Sequence, residues 1–135
     1  MSPVDLNQMA FNKLKDVFGF SQYRDGQKEI IESILDNKNI LAVMPTGAGK
    51  SLCYQLPAIV SKKKTIIISP LIALMDDQIA GLRDYGVPAE ALHAHQSQKE
   101  MQKSWANFKE GMSKIIYMSP ERLMTPTMLE GLKDL

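Results

Sequence analysis

The seven residues from Pro45 to Ser51, PTGAGKS, have the composition of a phosphate-binding loop. Gly47 and Gly49 allow the backbone to curl so that several N–H groups point at one anion. Lys50 supplies a mobile ammonium for nucleotide phosphates, and the Ser51 hydroxyl is a ligand for Mg²⁺. Lys50 and Ser51 are therefore the predicted catalytic residues. All seven are predicted to bind the nucleotide: Pro45, Thr46, Gly47, Ala48, Gly49, Lys50 and Ser51.

The loop departs from the full pattern Gly-x-x-x-x-Gly-Lys-Ser/Thr at one position, because Met44 stands where the first glycine is required. The alternative is a turn between a strand and a helix that needs glycines only for its geometry. That alternative does not explain Lys50 and Ser51 at the start of a helix, where a cation opposes the helix dipole. The residues therefore favour a phosphate site.

Alternating strand and helix patterns surround this loop. The apolar run before it predicts a strand over 39–44, and the β-branched run Thr65–Ile68 predicts a strand that is buried on both faces. Two further strands are predicted, over 90–95 and 114–118. Six helices are predicted: from Ser2 or Pro3 to Gly19, after a cap at Asp25, after the loop to about Pro57 or a little beyond, along the stripe Leu71, Leu74, Met75, Ile79 and Leu82, from Ser97 to Gly111, and over 127–134.

This order predicts an α/β fold of three layers with a parallel sheet between helices. Ligands bind such sheets at the carboxyl ends of the strands. We therefore expect the loops 45–51, 69–72, 95–98 and 119–123 to open on one edge.

Composition limits the remaining classes only weakly. The chain has 135 residues, of which 44% are hydrophobic and 23% charged, and its formal net charge is +1. These values are typical of one soluble globular domain and neither support nor exclude nucleic-acid binding. The single cysteine, Cys53, forms no internal disulfide and is expected to pack in the core. Neither a signal peptide nor a membrane span is predicted, so a location in the cytoplasm or the nucleus is expected.

Four runs resemble the start of a RecQ-type ATP-dependent DNA helicase: FGFSQYRDGQKEII (18–31), VMPTGAGKSLCYQLPA (43–58), ISPLIALMDDQI (68–79) and YMSPERL (117–123). DEAD-box RNA helicases share the phosphate loop but usually carry Pro-Thr-Arg-Glu-Leu where this chain has the residues from Ser69 to Leu74. The resemblance implies a RecA-like P-loop NTPase domain that uses ATP and Mg²⁺. It also implies unwinding of duplex DNA with 3′–5′ polarity in repair and recombination.

The resemblance also implies an adenine site before the phosphate loop. Gln27 is expected to bind the adenine edge, while Arg24 and an aromatic residue, Phe20 or Tyr23, stack on the base. The alternatives are packing of the aromatic rings between the first two helices and, for Gln27, a solvated position. Residues 1–36 would then be helices with the adenine motif, and 37–135 a partial RecA-like domain.

Two motifs similar to the DNA-contacting motifs of the family follow the predicted strands. They are expected to bind single strands or duplex junctions without regard to sequence. Their candidate residues are Ser69, Pro70, Gln78, Ser119 and Arg122. The alternative for Arg122 is an ion pair with Glu121 or with another surface carboxylate.

The acidic Asp-Glu motif that such hydrolases need is missing from the sequence. Asp76-Asp77 is rejected as a substitute because the preceding residues fit a helix face. We therefore expect an N-terminal portion of a longer helicase, truncated before the acidic (DEAH) strand and without the second motor domain. It would bind nucleotide, hydrolyse little, and self-associate through an exposed sheet edge.

Several alternatives stay open at this point. They are another P-loop NTPase, such as a DEAD-box-like RNA helicase or a small-molecule kinase, and a non-catalytic truncated product that binds a partner through the sheet edge. His93 and His95 have no obvious third ligand nearby, so the sequence does not favour a metal site there. Trp105 is expected to pack with Met101 and Phe108.

Overall fold

A computed structural model describes residues 2–45 and 47–135, so Thr46 of the phosphate loop lies outside the described residues. Backbone contacts divide the chain into two compact units. The first ends at Lys63 and the second begins at Lys64. The proposed boundary at residue 36 stays a prediction. Among the described helices, none combines the length and the apolar character that a membrane span requires.

The first unit contains the helices α1 (Pro3–Asp16), α2 (Gln27–Leu35) and α3 (Lys50–Val60). Each of them buries one face against the other two helices. The seven residues buried between them are Ala10, Leu14, Ile31, Leu35, Leu52, Leu56 and Val60. The three predicted helices of this region are therefore confirmed.

The expected cap of α2 is wrong. Gly26 rather than Asp25 occupies the N-cap position, with φ of 84°, and no side chain caps the helix. A left-handed backbone is accessible to glycine at little cost. The side chain of Gln27 instead accepts a hydrogen bond from the Arg24 N–H at 2.8 Å. The turn into α2 is thus held by Gln27, at the first position of the helix.

The strand predicted over 39–44 is also wrong. These residues are irregular in the structure, and they pair with no strand among the described residues. Leu41 and Val43 are 93% and 91% exposed. An apolar, β-prone segment becomes a strand only when a neighbour completes its hydrogen bonds. The described part of the chain contains no such neighbour for it.

The second unit is built on three parallel strands, β1 (Thr65–Ile68), β2 (Ala89–Leu92) and β3 (Ile115–Met118), in the order β1-β3-β2. This confirms three predicted strands and the parallel sheet. β3 is central, and its four residues are buried. β1 has one neighbour in this sheet and Ile68 is 41% exposed, so the expectation of a strand buried on both faces is wrong.

The second unit also contains four helices: α4 (Ile72–Asp84), α5 (Gln98–Lys109), α6 (Pro120–Leu123) and α7 (Pro126–Lys133). Trp105 packs at the margin of a core formed by Leu92, Phe108, Ile116, Met118 and Met128, as predicted. In α4, Leu71 and Leu74 were expected in the buried stripe but are 60% and 44% exposed. The short helix α6 was not predicted, although Ser119-Pro120 is a typical helix start.

Candidate nucleotide and nucleic-acid sites

The phosphate loop has the backbone that its glycines predict. Gly47 and Gly49 have φ of 83° and 78°, and the Ala48 N–H donates to the Pro45 carbonyl at 3.2 Å. α3 starts at Lys50 with no side-chain cap, so its first-turn amides receive no acceptor from the N-cap residue. The Lys50 ammonium is exposed and takes part in no ion pair between described residues. These donors and this cation fit a polyphosphate.

Two hydrogen bonds tie the loop to the start of α2, and a third joins the two residues that make them. The Arg24 guanidinium donates to the Gly47 carbonyl at 2.7 Å, and the Gln27 amide donates to the Gly49 carbonyl at 3.2 Å. The third is the bond from the Arg24 N–H to the Gln27 oxygen at 2.8 Å. Gln27 is 2% exposed, so its alternative as a solvated helix residue is wrong. The predicted adenine motif and the phosphate loop therefore form one hydrogen-bonded structure.

The close approach of Gln27 also explains why position 49 is glycine. A Cβ on Gly49 would overlap the Gln27 amide nitrogen and lie 3.8 Å from the Arg24 side chain. At Gly47 a Cβ would meet no atom within 4 Å. The first glycine is thus required by its backbone conformation alone, and the second by conformation and space together.

The two candidate stacking rings have different surroundings. Phe20 is 47% exposed and is open to a planar ligand. Tyr23 packs against Phe11, with ring centroids 5.7 Å apart, and burial followed by the charge of Glu32 raises the pKa of its hydroxyl. Tyr23 therefore makes the packing contact that was the alternative to stacking. Which ring stacks on a base stays a prediction.

Two further residues of the loop region are placed by the structure. The Ser51 side chain stands in the first turn of α3, half-buried. Cys53 is buried, with its sulfur 3.7 Å from the Gly49 carbonyl and 3.9 Å from the Met44 sulfur. Burial raises the pKa of the Cys53 thiol, so the thiolate is disfavoured. This confirms the expected packing role of Cys53.

A cleft of about 540 Å³ adjoins the loop and is lined by Asp25, Gly26, Ile30, Ala48 and residues 40–45.

In the second unit, the carboxyl ends of the three strands meet at one edge. The Ser69 N–H donates to the Met118 carbonyl at 3.1 Å, and the Ser119 N–H donates to the Leu92 carbonyl at 3.2 Å. The loops that follow the three strands are therefore neighbours, as was expected for 69–72, 95–98 and 119–123. Whether the loop 45–51 opens on the same edge stays a prediction.

The structure places the five candidate DNA contacts in three places: Ser69 and Pro70 follow β1, Gln78 lies on α4, and Ser119 and Arg122 lie at the N-cap of α6 and within it. Ser69 and Ser119 follow paired strands, and their hydroxyls accept from the Leu71 and Arg122 N–H groups at 3.3 and 3.2 Å. Pro70 is exposed, and Gln78 is half-buried on α4. These roles in DNA binding stay predictions.

The alternative for Arg122 is not realised in the structure. No ion pair joins Arg122 to a described residue, Glu121 included. Its Nε atom is buried and has no hydrogen-bond partner among the described residues. A buried donor without a partner is costly, and an external acceptor would relieve that cost.

Two polar clusters were missed by sequence reasoning. His93, directly after β2, is buried, with its Nε2 atom 3.2 Å from Asp76 of α4. Glu90 is buried within β2 and accepts from the Ser113 hydroxyl at 2.5 Å. The partners lie 17 and 23 residues apart, so no local spacing indicates them. The available signal was only a polar residue inside or directly after an apolar strand. Asp76 and Asp77 lie within α4, which confirms their rejection as an acidic strand motif.

The parallel α/β fold and the phosphate loop define a P-loop domain, and residues 24–135 match the DEAD/DEAH box helicase family, so the chain belongs to that family. It is 43% identical over 122 residues to the ATP-dependent DNA helicase RecQ of Pasteurella multocida, covering 90% of this chain and 19% of that protein. It is 42% identical over 115 residues to RecQ of Bacillus subtilis, covering 84% of this chain and 20% of that protein.

A solved structure supports the fold. The DUF1998 helicase MrfA, crystallised with DNA and AMPPNP, superposes with a TM-score of 0.73 over 96% of this chain and 18% of that one, at 21% identity. The RecA-like α/β fold and the resemblance to RecQ helicases are therefore confirmed. The chain spans about a fifth of the length of the two RecQ relatives it matches.

Proposed function

We propose that this chain is the ATP-binding part of an ATP-dependent DNA helicase that unwinds duplex DNA with 3′–5′ polarity in repair and recombination. The observation that carries the proposal is the phosphate loop, with both glycines left-handed and with its carbonyls held by Arg24 and Gln27. The likeness to relatives named RecQ supports DNA over RNA as the substrate. A DNA-acting motor would work in the cytoplasm of a bacterium, at the nucleoid, or in a nucleus.

Different residues of the chain are proposed to bind different parts of ATP and its metal ion. The loop backbone at 47–49 and the first turn of α3 bind phosphate oxygens, and Lys50 neutralises their charge. The Ser51 hydroxyl is the proposed ligand of Mg²⁺. When bound, ATP supplies the phosphoanhydride bond whose hydrolysis drives a helicase. The Gly49 carbonyl and the Lys50 N–H belong to one trans peptide, so they point in opposite directions. Because the carbonyl accepts from Gln27, the Lys50 N–H points away from Gln27.

The adenine site is proposed at the start of α2. One amide hydrogen and one lone pair of Gln27 are committed to the loop and to Arg24, and the amide retains a second of each for a base edge. The exposed ring of Phe20 and the Arg24 guanidinium are the proposed stacking groups. This arrangement makes base recognition and phosphate binding depend on the same side chain.

Replacing Gln27 by alanine is the test of this site. We expect Gln27→Ala to weaken adenine nucleotide binding by roughly tenfold or more, since bonds to a buried amide are lost, and to remove the preference for adenine over guanine. The measurement is a titration with fluorescent ATP and GTP analogues. The control is Gln22→Ala, which removes an exposed amide nearby. An unchanged ratio of the two affinities in Gln27→Ala would contradict the proposal.

DNA binding is proposed at the edge formed by the three strand ends. Ser69, Pro70, Gln78, Ser119 and Arg122 are the proposed contacts to a single strand or to a junction between single and double strand, through phosphate oxygens and without sequence preference. The unpartnered Nε of Arg122 supports this assignment. A second motor domain is the proposed partner that would complete the hydrolysis site.

The sequence predicted self-association through an exposed sheet edge. We propose residues 40–44 as the associating segment, because Leu41 and Val43 are exposed and its backbone pairs with no strand among the described residues. We expect the mass measured by light scattering to rise with concentration for the wild-type chain. The double variant Leu41→Glu/Val43→Glu should stay monomeric, because like charges oppose pairing. Met112→Glu is the control, since Met112 is 67% exposed in the second unit. A wild-type chain that is monomeric at every concentration rules out this association.

A further inference from the structure

His93 is a buried polar residue at the carboxyl edge of the sheet, and both its backbone and its ring make hydrogen bonds. It follows β2 directly and its side chain is 6% exposed. Its backbone N–H donates to the Gln96 side chain at 3.0 Å, and the Gln96 amide donates in turn to the Ala91 carbonyl at 2.9 Å. These bonds close the loop between β2 and the Ser97 cap of α5. The imidazole is therefore held in a preformed loop.

The contacts of the ring assign its tautomer. The His95 N–H lies 3.2 Å from His93 Nδ1, so Nδ1 must accept. The proton of the neutral ring is then on Nε2, where it donates to Asp76 Oδ1 at 3.2 Å. Each ring nitrogen thus has one partner, the first within its own loop and the second on α4.

The bond to Asp76 reaches a helix whose first turns bury few side chains. α4 has no side-chain cap at Leu71, and Leu71 and Leu74 are exposed. Of its first turns only Met75 is fully buried. The Asp76 side chain is 58% exposed, so its carboxylate keeps most of its hydration while it accepts from His93. This bond joins the beginning of α4 to the end of β2.

We propose that His93 is a positioning residue, which holds the first turns of α4 against the loop after β2 through its Nε2–H bond to Asp76. The inference rests on the proposed function, because α4 begins beside Ser69 and carries Gln78, two of the proposed DNA contacts. A helix start held in place presents these groups in one arrangement and reduces the ordering required on binding a strand. His93 itself touches no DNA in this proposal.

Substitutions at the two ends of the bond separate its roles. Asp76→Ala removes the acceptor at an exposed position. His93→Asn retains an acceptor near the site of Nδ1 but loses the donor to Asp76, whereas His93→Gln places an amide donor near the position of Nε2. His95→Asn is the matched control, because it removes the exposed imidazole and retains the backbone N–H that bonds His93.

Two measurements on the full chain test the proposal. The first is hydrogen exchange of the amides of residues 72–78. The second is the affinity for an oligothymidine single strand, followed by fluorescence anisotropy. We expect Asp76→Ala and His93→Asn to exchange faster and to bind roughly 3–10-fold more weakly, the range expected for one lost hydrogen bond. His93→Gln and His95→Asn should stay close to wild type. The double variant Asp76→Ala/His93→Asn should be no worse than either single one.

Each outcome decides the proposal. Equal losses in His93→Gln and His93→Asn, or unchanged exchange in Asp76→Ala, overturn it. If His93→Asn fails to fold, Asp76→Ala still decides, because Asp76 is largely exposed. A wild-type chain that does not bind the strand overturns the proposed function, whereas the exchange data report on the bond between α4 and β2 independently. Since the chain has two histidines, long-range ¹⁵N NMR adds a direct check, with the Nε2–H tautomer expected for His93.

Discussion

Replacing Gly49 by alanine is expected to abolish measurable ATP binding and to lower the free energy of unfolding by about 2–5 kcal/mol. Two effects add at this position. The residue has φ of 78°, which costs a residue with a Cβ about 1–2 kcal/mol. The new Cβ would also overlap the amide of buried Gln27, and such overpacking costs about 1–3 kcal/mol. Displacing Gln27 breaks its bonds to the loop and to Arg24.

Urea unfolding and a titration with fluorescent ATP measure the two losses. Gly86→Ala is the control for the conformational cost alone, since Gly86 has φ of 80° in the second unit and a Cβ there would meet no atom within 4 Å. Gly47→Ala separates the effects within the loop, because it too would pay only the conformational cost. If Gly49→Ala were no less stable than Gly86→Ala, Gln27 would not pack against the loop as described.

Replacing Lys50 by alanine is expected to weaken ATP binding by roughly 10–200-fold, the loss that corresponds to about 1.5–3 kcal/mol for a hydrogen bond to a charged group. The same change should leave the stability of the unliganded chain equal or slightly higher. Lys50 is exposed, takes part in no ion pair between described residues, and places a cation at the positive end of the α3 dipole. Affinity and stability therefore respond differently to one substitution.

The measurements are isothermal calorimetry with ATP and thermal unfolding without ligand. Lys62→Ala is the control, because Lys62 is exposed and lies two residues after the end of α3. We expect it to leave both quantities near their wild-type values. A large loss of stability in Lys50→Ala would show that the ammonium serves the fold, and an unchanged ATP affinity would contradict the phosphate site.

Local sequence signals placed most of the elements correctly. Helices α1, α3 and α5 begin where a cap or the glycines of the loop predict them, and α5 has the full Ser97–Glu100 capping box. The pKa of the Glu100 carboxyl is lowered, mainly by the hydrogen bonds from Ser97. These interactions join residues three or four apart, so the sequence alone contains all the information they need.

The two wrong strand predictions have a common cause, which is that both properties depend on residues distant in the chain. The segment 39–44 is apolar and β-prone, yet it is irregular because strand formation depends on a partner strand. The burial of β1 was overestimated because its position at an edge of the described sheet depends on strand order. Neither property is encoded in the residues of the segment itself.

The residues of the candidate site also fall into those that local sequence identifies and those that only distant contacts place. The loop from Pro45 to Ser51 was recognisable from its residue types, since backbone curvature, charge and a helix start are local requirements of phosphate binding. The adenine and DNA motifs were recognisable by resemblance. Their internal bonds were not, because a side chain such as Gln27 can stay in solvent or be buried without any change in its own sequence context.

The sequence by itself thus determined the phosphate loop, most helices and three of the four strand segments, because glycine turns, helix caps and apolar runs are signals carried by residues near one another in the chain. Only the tertiary structure decided that Gln27 holds the loop, that β3 is the central strand, and that His93 bonds Asp76. These features join residues 17 or more positions apart, and chain folding alone brings such residues together.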